Sequence, residues 1–194
     1  DLGAILKPID NLMVNIGGWY LFFEQEFVYV GDEAVVEPSG RTQRIGADFS
    51  IRYQPLKWLF IYADFNYAFA RAIDEANGED FIPLAADLTS VGGITFNHPI
   101  GIQAGINYRW IGDRPANEDY SITAKGYFVA DANLSYTWRK WTAGIIIQNL
   151  FNTEWNETQF ATESRLANEV TSVEEIHFTP GTPFFIRGKV SVRF

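Results

Sequence analysis

Residues 126–152 read GYFVADANLSYTWRKWTAGIIIQNLFN, and apolar and polar side chains alternate through most of this stretch. The even-numbered positions of its first half hold the apolar set: Phe128, Ala130, Ala132, Leu134, Tyr136 and Trp138. Arg139 and Lys140 then reverse the chain, and the alternation resumes from Trp141 to Ile147. About eleven alternating residues is the length that a tilted strand needs to cross a bilayer. The pattern predicts an antiparallel hairpin with one face toward lipid and the other toward a polar lumen.

The same alternation predicts about nine strands along the chain, joined by connections that are alternately short and long. Tight turns are predicted at 8–10, 55–57, 97–99 and 139–140, and long loops at 31–40, 73–83, 112–125 and 153–181. The strand that begins at Leu12 is expected to run on to Val30 with a kink near Glu24. Outer-membrane barrels have short periplasmic turns and long extracellular loops. The predicted fold class is therefore all-β, an antiparallel up-and-down transmembrane β-barrel segment.

The composition narrows the class of protein further. Cysteine is absent, which excludes disulfide frameworks, thiolate zinc sites and cysteine nucleophiles. The formal net charge of −9 argues against a nucleic-acid partner, and no run approaches the roughly 18 apolar residues of a membrane-spanning helix. Of the 24 Asp and Glu residues, 16 fall in the four predicted long loops. Five tryptophans near predicted strand ends are expected in interfacial aromatic belts: Trp58, Trp110, Trp138, Trp141 and Trp155.

The third long loop holds the candidate ligand-binding residues, Arg114, Asn117 and Asp119. They could contact a ligand at the mouth of a barrel, and the alternative is a solvated loop whose polar groups pair with one another. Acidic pairs in the long loops could bind divalent cations, although they lack the spaced oxygen ligands and the glycine of a calcium loop. These pairs are Asp32–Glu33, Asp74–Glu75, Glu79–Asp80 and Glu174–Glu175.

The two histidines indicate neither a metal site nor a catalytic site. His98 lies in a predicted turn and His177 in the longest loop, nearly eighty residues apart. A metal site would need a second ligand at defined spacing, and a serine hydrolase would need a histidine on a strand beside a serine on the same face. Neither condition is evident, so no catalytic residue, metal or cofactor is expected.

Several segments resemble parts of one known family. Residues 149–155 read NLFNTEW and resemble the stretch N-L-F-(D or N)-x-x-(Y or W) near the C-terminus of the TonB-dependent outer-membrane receptors. Residues 38–48, PSGRTQRIGAD, are similar to a loop-to-strand passage of the same barrels, and residues 111–117 and 177–183 are also similar to segments found there. Residues 188–194, GKVSVRF, end in Phe194 and look like the signal that the barrel-assembly machinery reads.

The resemblance implies a barrel of about 22 strands with an N-terminal plug, which imports scarce ligands with energy relayed by TonB. Residues 1–194 would then be the C-terminal portion of that barrel, with the plug and the N-terminal strands absent. The expected function is uptake of an iron–siderophore complex or a similar nutrient, and the expected location is the outer membrane of a Gram-negative bacterium. Expected partners are outer-membrane lipid and lipopolysaccharide, the rest of the barrel and its plug, TonB through the missing N-terminal part, and the assembly machinery through Phe194.

Two other functions are left open by the sequence. The chain could be a small autonomous outer-membrane barrel of about eight or ten strands with a structural or adhesive role. It could also be an outer-membrane enzyme, which would need a catalytic group on a strand. The sequence that precedes Asp1 would separate the receptor from the small barrel, because a receptor needs a plug and further strands upstream.

Overall fold

The computed structural model describes residues 1–30, 35–38 and 40–194, and all regular structure in those residues is β. In chain order the strands are β1 (Leu2–Ile9), β2 (Leu12–Phe23), β3 (Phe27–Val30), β4 (Val35–Pro38), β5 (Thr42–Leu56), β6 (Leu59–Ala72), β7 (Leu88–Asn97), β8 (Ile102–Ile111), β9 (Arg114–Pro115), β10 (Thr123–Ala124), β11 (Tyr127–Trp138), β12 (Trp141–Gln148), β13 (Asn156–Ser164), β14 (Val173–Pro180) and β15 (Phe185–Val192). Within these described ranges no helix is long and apolar enough to cross a membrane.

Nine strands form one antiparallel sheet in the order β1-β2-β5-β6-β7-β8-β11-β12-β15. Each of them pairs with the strand of this sheet that comes next along the chain, so the sheet is an up-and-down meander. The hairpin within residues 126–152 is formed by β11 and β12, and Trp138 pairs with Trp141 across its turn. The predicted antiparallel all-β fold class is confirmed.

Three of the four short connections are shifted from their predicted positions. β5 runs through Pro55 to Leu56, so the second turn lies at Lys57 and Trp58. β1 runs through Pro8 to Ile9, so the first turn lies at Asp10 and Asn11. Pro8 is tolerated because the register of β1 and β2 shifts between Leu6 and Ile9, and proline is found at such irregular positions of a sheet, where no ladder hydrogen bond is needed from its nitrogen. β8 begins at Ile102, so Ile100 belongs to the turn and not to the strand.

The two faces of the nine-stranded sheet differ in polarity, as the alternation predicts. Large apolar side chains stand exposed on one face: Ile16, Tyr20, Ile45, Phe65, Ile94, Ile106, Leu134, Trp138, Ile145 and Val190. The residues between them along the strands, which point to the opposite face, are mostly polar or charged. An apolar surface that runs across nine strands needs lipid or another covering, and this division of the faces is that of a membrane-spanning barrel wall.

Three long connections contain two-stranded ribbons where the sequence analysis predicted loops. β3 pairs with β4, β9 with β10, and β13 with β14. The predicted continuation of the second strand to Val30 is wrong, because β2 ends at Phe23 and β3 leaves the main sheet to pair with β4. The predicted loop at 153–181 is largely the hairpin of β13 and β14. Polar side chains lie on both faces of these two strands, so the apolar alternation that reveals a membrane strand is missing.

Candidate functional site

The polar face of the sheet is cross-linked by side chains that reach between neighbouring strands. Asp48 accepts hydrogen bonds from the indole N–H of Trp19 at 3.1 Å and from the amide of Asn66 at 2.5 Å. Arg52 pairs with Asp64, with Nη2 and Oδ1 2.8 Å apart. These polar groups already have hydrogen-bond or ion-pair partners within the sheet. We therefore assign them to stabilising the wall and not to binding a ligand.

Toward the long-loop end of the sheet, the polar face becomes aromatic and cationic. The guanidinium of Arg109 lies 4.8 Å from the ring centre of Trp155, and the ring of Tyr127 lies at the same distance from that indole. Trp155 donates from its indole N–H to the carbonyl of Thr182 at 3.1 Å. Cation–π contacts of this kind contribute about 0.5–2 kcal/mol. Trp155 therefore packs on the polar face, which differs from the interfacial position expected from the sequence.

Arg114 is the candidate ligand-binding residue with the most unusual surroundings. It lies on β9, where it pairs with Ala124 of β10, and only 8% of the residue is exposed. Its Nη1 atom has no hydrogen-bond partner among the described residues. Burial lowers the pKa of the guanidinium, while Tyr127 and Asp113 act in the opposite direction. A buried cation with an unpartnered nitrogen favours the approach of an anionic acceptor.

The other two candidates are hydrogen-bonded mainly within their own loop, and Asn117 also donates to Glu174 on β14 at 3.5 Å. Asn117 is buried, donates from its amide to the hydroxyl of Ser121 at 2.8 Å, and accepts from the backbone N–H of Ile122 at 3.1 Å. Asp119 accepts from the hydroxyl and the backbone N–H of Ser121 at 2.7 and 2.9 Å, and these hydrogen bonds lower the pKa of its carboxyl. The structure thus gives Asn117 and Asp119 a role in shaping the loop that carries Arg114.

Two buried amides that the sequence analysis did not single out hold the last hairpin against the sheet. Gln159 on β13 accepts from the backbone N–H of Lys125 at 3.0 Å and donates to its carbonyl at 2.8 Å. Asn149 donates to the carbonyls of Thr153 and Thr182 at 2.8 and 3.0 Å, and accepts from the N–H of Thr153 at 2.8 Å. Since Thr153 and Thr182 bracket the hairpin, Asn149 closes its base.

The NLFN segment is the one sequence signal that pointed toward this closure. Asn149 and Asn152 have φ angles of 48° and 50°, in the left-handed region that asparagine tolerates better than most residues. Asn152 accepts from the backbone N–H of Phe184 at 3.0 Å, which adds a second link across the base of the hairpin. The segment that carries the family resemblance therefore has a local physical role.

Ion pairs hold the second long connection, where acidic pairs were weighed as cation sites. Arg41 pairs with Asp74, which lowers the pKa of that carboxyl. Arg71 lies 3.5 Å from Asp80 and stacks between the rings of Phe69 and Phe81, each 4.2 Å from its guanidinium carbon. The Asp32–Glu33 pair lies outside the described residues. Among the residues that are described, no group of three or more His, Asp or Glu side chains could hold a metal ion.

The histidines and Phe194 lie in surroundings that differ from those of Arg114. His98 packs against the rings of Trp58 and Phe96 at the short-turn end. His177 lies on β14, and its Nε2 atom is 3.0 Å from the hydroxyl of Ser164 on β13. This contact corrects the expectation that no histidine lies on a strand beside a serine, although the pair is exposed and no third triad member is bonded to His177 in the described chain. Phe194 follows the last strand and is exposed.

Comparison with solved structures shows the same fold at low sequence identity. The ferric-catecholate import receptor Fiu from E. coli K12, in its closed form, aligns with a TM-score of 0.70 and 18% identity over 99% of this chain and 27% of Fiu. The copper transporter OprC aligns at 0.67 and 18% identity over 98% of this chain and 30% of its own. The siderophore receptor PiuA from Acinetobacter baumannii aligns at 0.67 and 11% identity, over 94% and 26%. The chain thus spans between about a quarter and a third of the length of these proteins.

The family comparison concerns sequence alone. No curated protein sequence matches the chain. A family model described as TonB dependent receptor-like, beta-barrel, matches residues 1–150. TonB-dependent receptors are outer-membrane proteins of Gram-negative bacteria, and the family and the structural neighbours are transport receptors, not enzymes. Because the match covers well over half of the sequence and agrees with the nine-stranded two-faced sheet, the chain belongs to the TonB-dependent receptor β-barrel family.

Proposed function

We propose that residues 1–194 form the C-terminal wall of a larger receptor barrel in the outer membrane of a Gram-negative bacterium. In this proposal the barrel imports a scarce nutrient, such as an iron–siderophore complex, with energy relayed by TonB. The remaining strands and the plug come from other parts of a longer polypeptide. The limited share of each structural neighbour that the chain covers supports this division.

The two-faced sheet carries the proposal. Its apolar face exposes side chains such as Leu134, 47% exposed, and Trp138, 56% exposed, over all nine strands. A cation on the lipid face costs about 2–4 kcal/mol at the bilayer midplane, which explains why cations such as Arg44 and Arg52 follow the opposite parity. β1 and β15 each have one edge without a neighbour among the described residues, and lipid does not tolerate open edges. Further strands are needed to close this wall.

The proposed ligand contact is Arg114, with Asn117 and Asp119 shaping its loop. Its unpartnered nitrogen is suited to an anionic oxygen, since charge-assisted hydrogen bonds are about twice as strong as neutral ones. The names of the structural neighbours refer to ferric catecholate, siderophore and copper ligands. These are the ligands of the neighbouring proteins, and we choose them as probes for the present receptor.

Uptake by whole cells tests the import function. Radiolabelled ferric catecholate and copper are supplied to cells that carry or lack the full-length gene, with and without TonB. We expect one of these probes to be taken up only when both the gene and TonB are present. Uptake that is independent of the gene and of TonB for every probe would contradict the proposal and favour a structural or adhesive barrel.

The Arg114→Gln variant of the full-length protein tests the ligand contact. We expect its binding of an anionic probe to weaken by about tenfold or more, because an ionised hydrogen-bond partner is lost. Arg165→Gln, which removes the same charge from an exposed position on the hairpin loop, is the matched control and should bind normally. If both variants bind the probe equally, Arg114 is not a ligand contact. That result would not contradict the proposal that the receptor imports a nutrient.

The other partners are proposed on the same basis. Outer-membrane lipid and lipopolysaccharide would cover the apolar face, the plug would fill the lumen, and TonB would act through the part of the receptor outside residues 1–194. Phe194 is proposed as the contact with the barrel-assembly machinery. Phe194→Ala should lower the amount of folded receptor in the membrane, measured by heat-modifiable gel migration, without altering ligand affinity per folded molecule.

A further inference from the structure

The second long connection contains the only asparagine of the sequence that is followed by a glycine. Asn77 and Gly78 lie between β6 and β7, and both residues are exposed. They form the middle of a tight turn, in which the backbone N–H of Glu79 donates to the carbonyl of Ala76 at 2.9 Å. The turn therefore presents an asparagine amide and the backbone nitrogen that follows it to water.

Glycine leaves the backbone nitrogen at position 78 open to reaction. Gly78 has a φ of 97°, which side chains disfavour, and a Cβ at this position would meet nothing within 4 Å. No side chain of residue 78 shields the nitrogen, and the glycine backbone can change its conformation at little cost. The side-chain carbonyl carbon of Asn77 is joined to the same peptide unit, so attack by this nitrogen would close a five-membered ring.

A carboxylate faces the same nitrogen. The backbone N–H of Gly78 donates to Oδ1 of Asp80 at 3.2 Å. The other oxygen of that carboxylate, Oδ2, lies 3.5 Å from Nε of Arg71, which helps to hold the side chain in place. A base must lie within hydrogen-bond reach of the proton that it removes, and Asp80 meets this condition for the proton of Gly78. The turn thus brings together an electrophile, a nucleophile and a proton acceptor.

We propose that Asn77 and Gly78 form a self-modification site, at which the asparagine is converted to aspartate and isoaspartate. The nitrogen of Gly78 attacks the side-chain carbonyl carbon of Asn77, and its proton passes to Asp80. The new C–N bond closes a succinimide ring, and the side-chain nitrogen leaves as ammonia with the proton that Asp80 received. Water then adds to either carbonyl of the ring and opens it. The net reaction consumes one water and releases one ammonia for each asparagine converted.

The site lies next to a contact between the second and third long connections. Phe81 donates from its backbone N–H to the carbonyl of Glu118 at 3.1 Å, and its ring packs edge-on against that of Tyr120 at 5.2 Å between centres. Either product adds a negative charge close to Asp80, and like charges repel. Isoaspartate also lengthens the backbone by one methylene group. Conversion should therefore loosen the attachment of Phe81 to the third long connection.

Ageing of the full-length receptor in heavy-oxygen water tests the proposal. Outer-membrane preparations are held at neutral pH, digested after increasing times and analysed by mass spectrometry. We expect the peptide that contains Asn77 to gain one heavy oxygen and to separate into aspartyl and isoaspartyl forms. Asn168 is the internal control, because it is exposed in a turn closed at 3.1 Å between Glu169 and Leu166 but is followed by glutamate. Its conversion should be slower by about tenfold or more, since a residue with a Cβ is less free to adopt the attacking geometry.

Two matched variants test the role of Asp80. Asp80→Asn removes the proton acceptor of Gly78 and the ion-pair partner of Arg71. Asp74→Asn removes the ion-pair partner of Arg41 in the same connection and keeps the acceptor of Gly78. We expect conversion to slow by about tenfold or more in Asp80→Asn, because a positioned base is lost, and to keep its rate in Asp74→Asn.

Hydrogen exchange tests the consequence of conversion. The amide of Phe81 should exchange about tenfold faster in aged receptor than in fresh receptor, because its link to Glu118 is loosened. Asn77→Gln is the control, since its longer side chain would have to close a six-membered ring, which forms less readily. Ageing should leave the exchange rate of Phe81 unchanged in this variant.

Two results would overturn the modification site itself. They are equal conversion at Asn77 and Asn168, and conversion of Asn77 to aspartate alone, which indicates direct hydrolysis without a ring. Equal rates in Asp80→Asn and Asp74→Asn would contradict the role of Asp80. Exchange at Phe81 that ageing does not change, or that it accelerates equally in Asn77→Gln, would contradict the loosening of the loop contact. None of these measurements involves ligand uptake, so their failure would leave the proposed function unaffected.

Discussion

The two ends of the nine-stranded sheet are held together in different ways. At the short-turn end, backbone hydrogen bonds link one turn to the next strand: Asn97 donates to Trp58, Thr137 to Gly101 and Arg193 to Lys140, each at 2.8 Å. At the long-loop end, backbone hydrogen bonds such as that from Leu84 to Pro115 at 2.7 Å are joined by buried side chains that link segments far apart in sequence. Asn149 and Gln159 are the principal examples, and each is at most 2% exposed.

This difference indicates which substitutions should disorder each end of the sheet. Order at the short-turn end depends mainly on backbone geometry, so most side chains there can change. Order at the long-loop end depends in addition on a few amides, because each satisfies several backbone groups that would otherwise be buried without partners. Substitutions of those amides should release the loops while the sheet persists.

The largest effect is expected for Asn149→Gly. This variant removes three side-chain hydrogen bonds at the base of the last hairpin, while glycine accepts the φ of 48° without strain. We expect local opening of residues 153–182 to become easier by about 3 kcal/mol. Hydrogen exchange of the hairpin amides in the full-length receptor should accelerate by about a hundredfold, and exchange in β5 and β6 should not change.

Asn152→Gly is the control for that prediction. Asn152 has nearly the same φ, at 50°, but its side chain accepts one hydrogen bond, from Phe184. We expect an effect of about 1 kcal/mol on the same amides. If the two variants accelerate exchange equally, the side chain of Asn149 does not close the base of the hairpin as assigned.

A pair of glycines sharpens the comparison between the ends. Gly101 in the turn before β8 and Gly78 in the second long loop have φ angles of 96° and 97°. A Cβ at Gly101 would lie 2.3 Å from the carbonyl oxygen of Thr137, whereas a Cβ at Gly78 would meet nothing within 4 Å. Both alanine variants carry the strain of a positive φ, so the difference between them isolates the clash.

We expect Gly101→Ala to destabilise the receptor by about 2 kcal/mol more than Gly78→Ala does. The measurement is the midpoint of guanidinium unfolding of the full-length receptor in detergent. Equal midpoints for the two variants would show that backbone packing at the short-turn end is no tighter than in the loops. That result would contradict the role assigned to backbone geometry at the short-turn end.

The strands of the main sheet could be predicted because each is long, alternating and apolar on one face. The alternation from Phe128 to Trp138 identified β11 by itself, and the same rule located the other strands that face lipid. It failed at β13 and β14, because a ribbon outside the membrane needs no apolar face. The sequence gives no local sign that Phe27–Val30 pairs with β4 instead of prolonging β2, since that choice depends on long-range pairing.

The candidate site was predicted less well than the fold, for a related reason. Arg114, Asn117 and Asp119 were chosen as polar residues of a long loop, but their surroundings depend on the β9–β10 ribbon and, for Asn117, on a contact with Glu174 of β14. Gln159 is one of many polar residues between Thr153 and Gly181, and its contact with Lys125 appears only when the two connections are brought together. Residues that serve as links between distant segments have no pattern of their own.

A moderate effect is expected for Gln159→Glu, which keeps the acceptor for the N–H of Lys125 but cannot donate to its carbonyl. We expect hairpin opening to become easier by about 1–2 kcal/mol, because the buried carbonyl loses its partner and a charge enters a buried position. Glu157→Gln changes a residue of the same strand that has no such contact, and its hydrogen-exchange rates should match those of the unmodified receptor. Unaltered exchange at Lys125 in Gln159→Glu would contradict the assigned link.

The smallest effect is expected from the titration of Asp119. Its pKa is lowered in the folded loop by hydrogen bonds from Ser121, so the carboxylate contributes stability above its unfolded pKa of about 3.9. That contribution is lost as the pH falls through the folded pKa. The protection factor of the Ser121 amide, corrected for the intrinsic exchange rate, should therefore fall as the pH is lowered from about 5 to below the unfolded pKa. Asp119→Asn keeps an acceptor for Ser121 and does not titrate, so protection in this variant should be independent of pH over the same range. An equal loss in both proteins would place the acid sensitivity elsewhere, with the Arg41–Asp74 pair, whose carboxyl pKa is also lowered, as the next group to test.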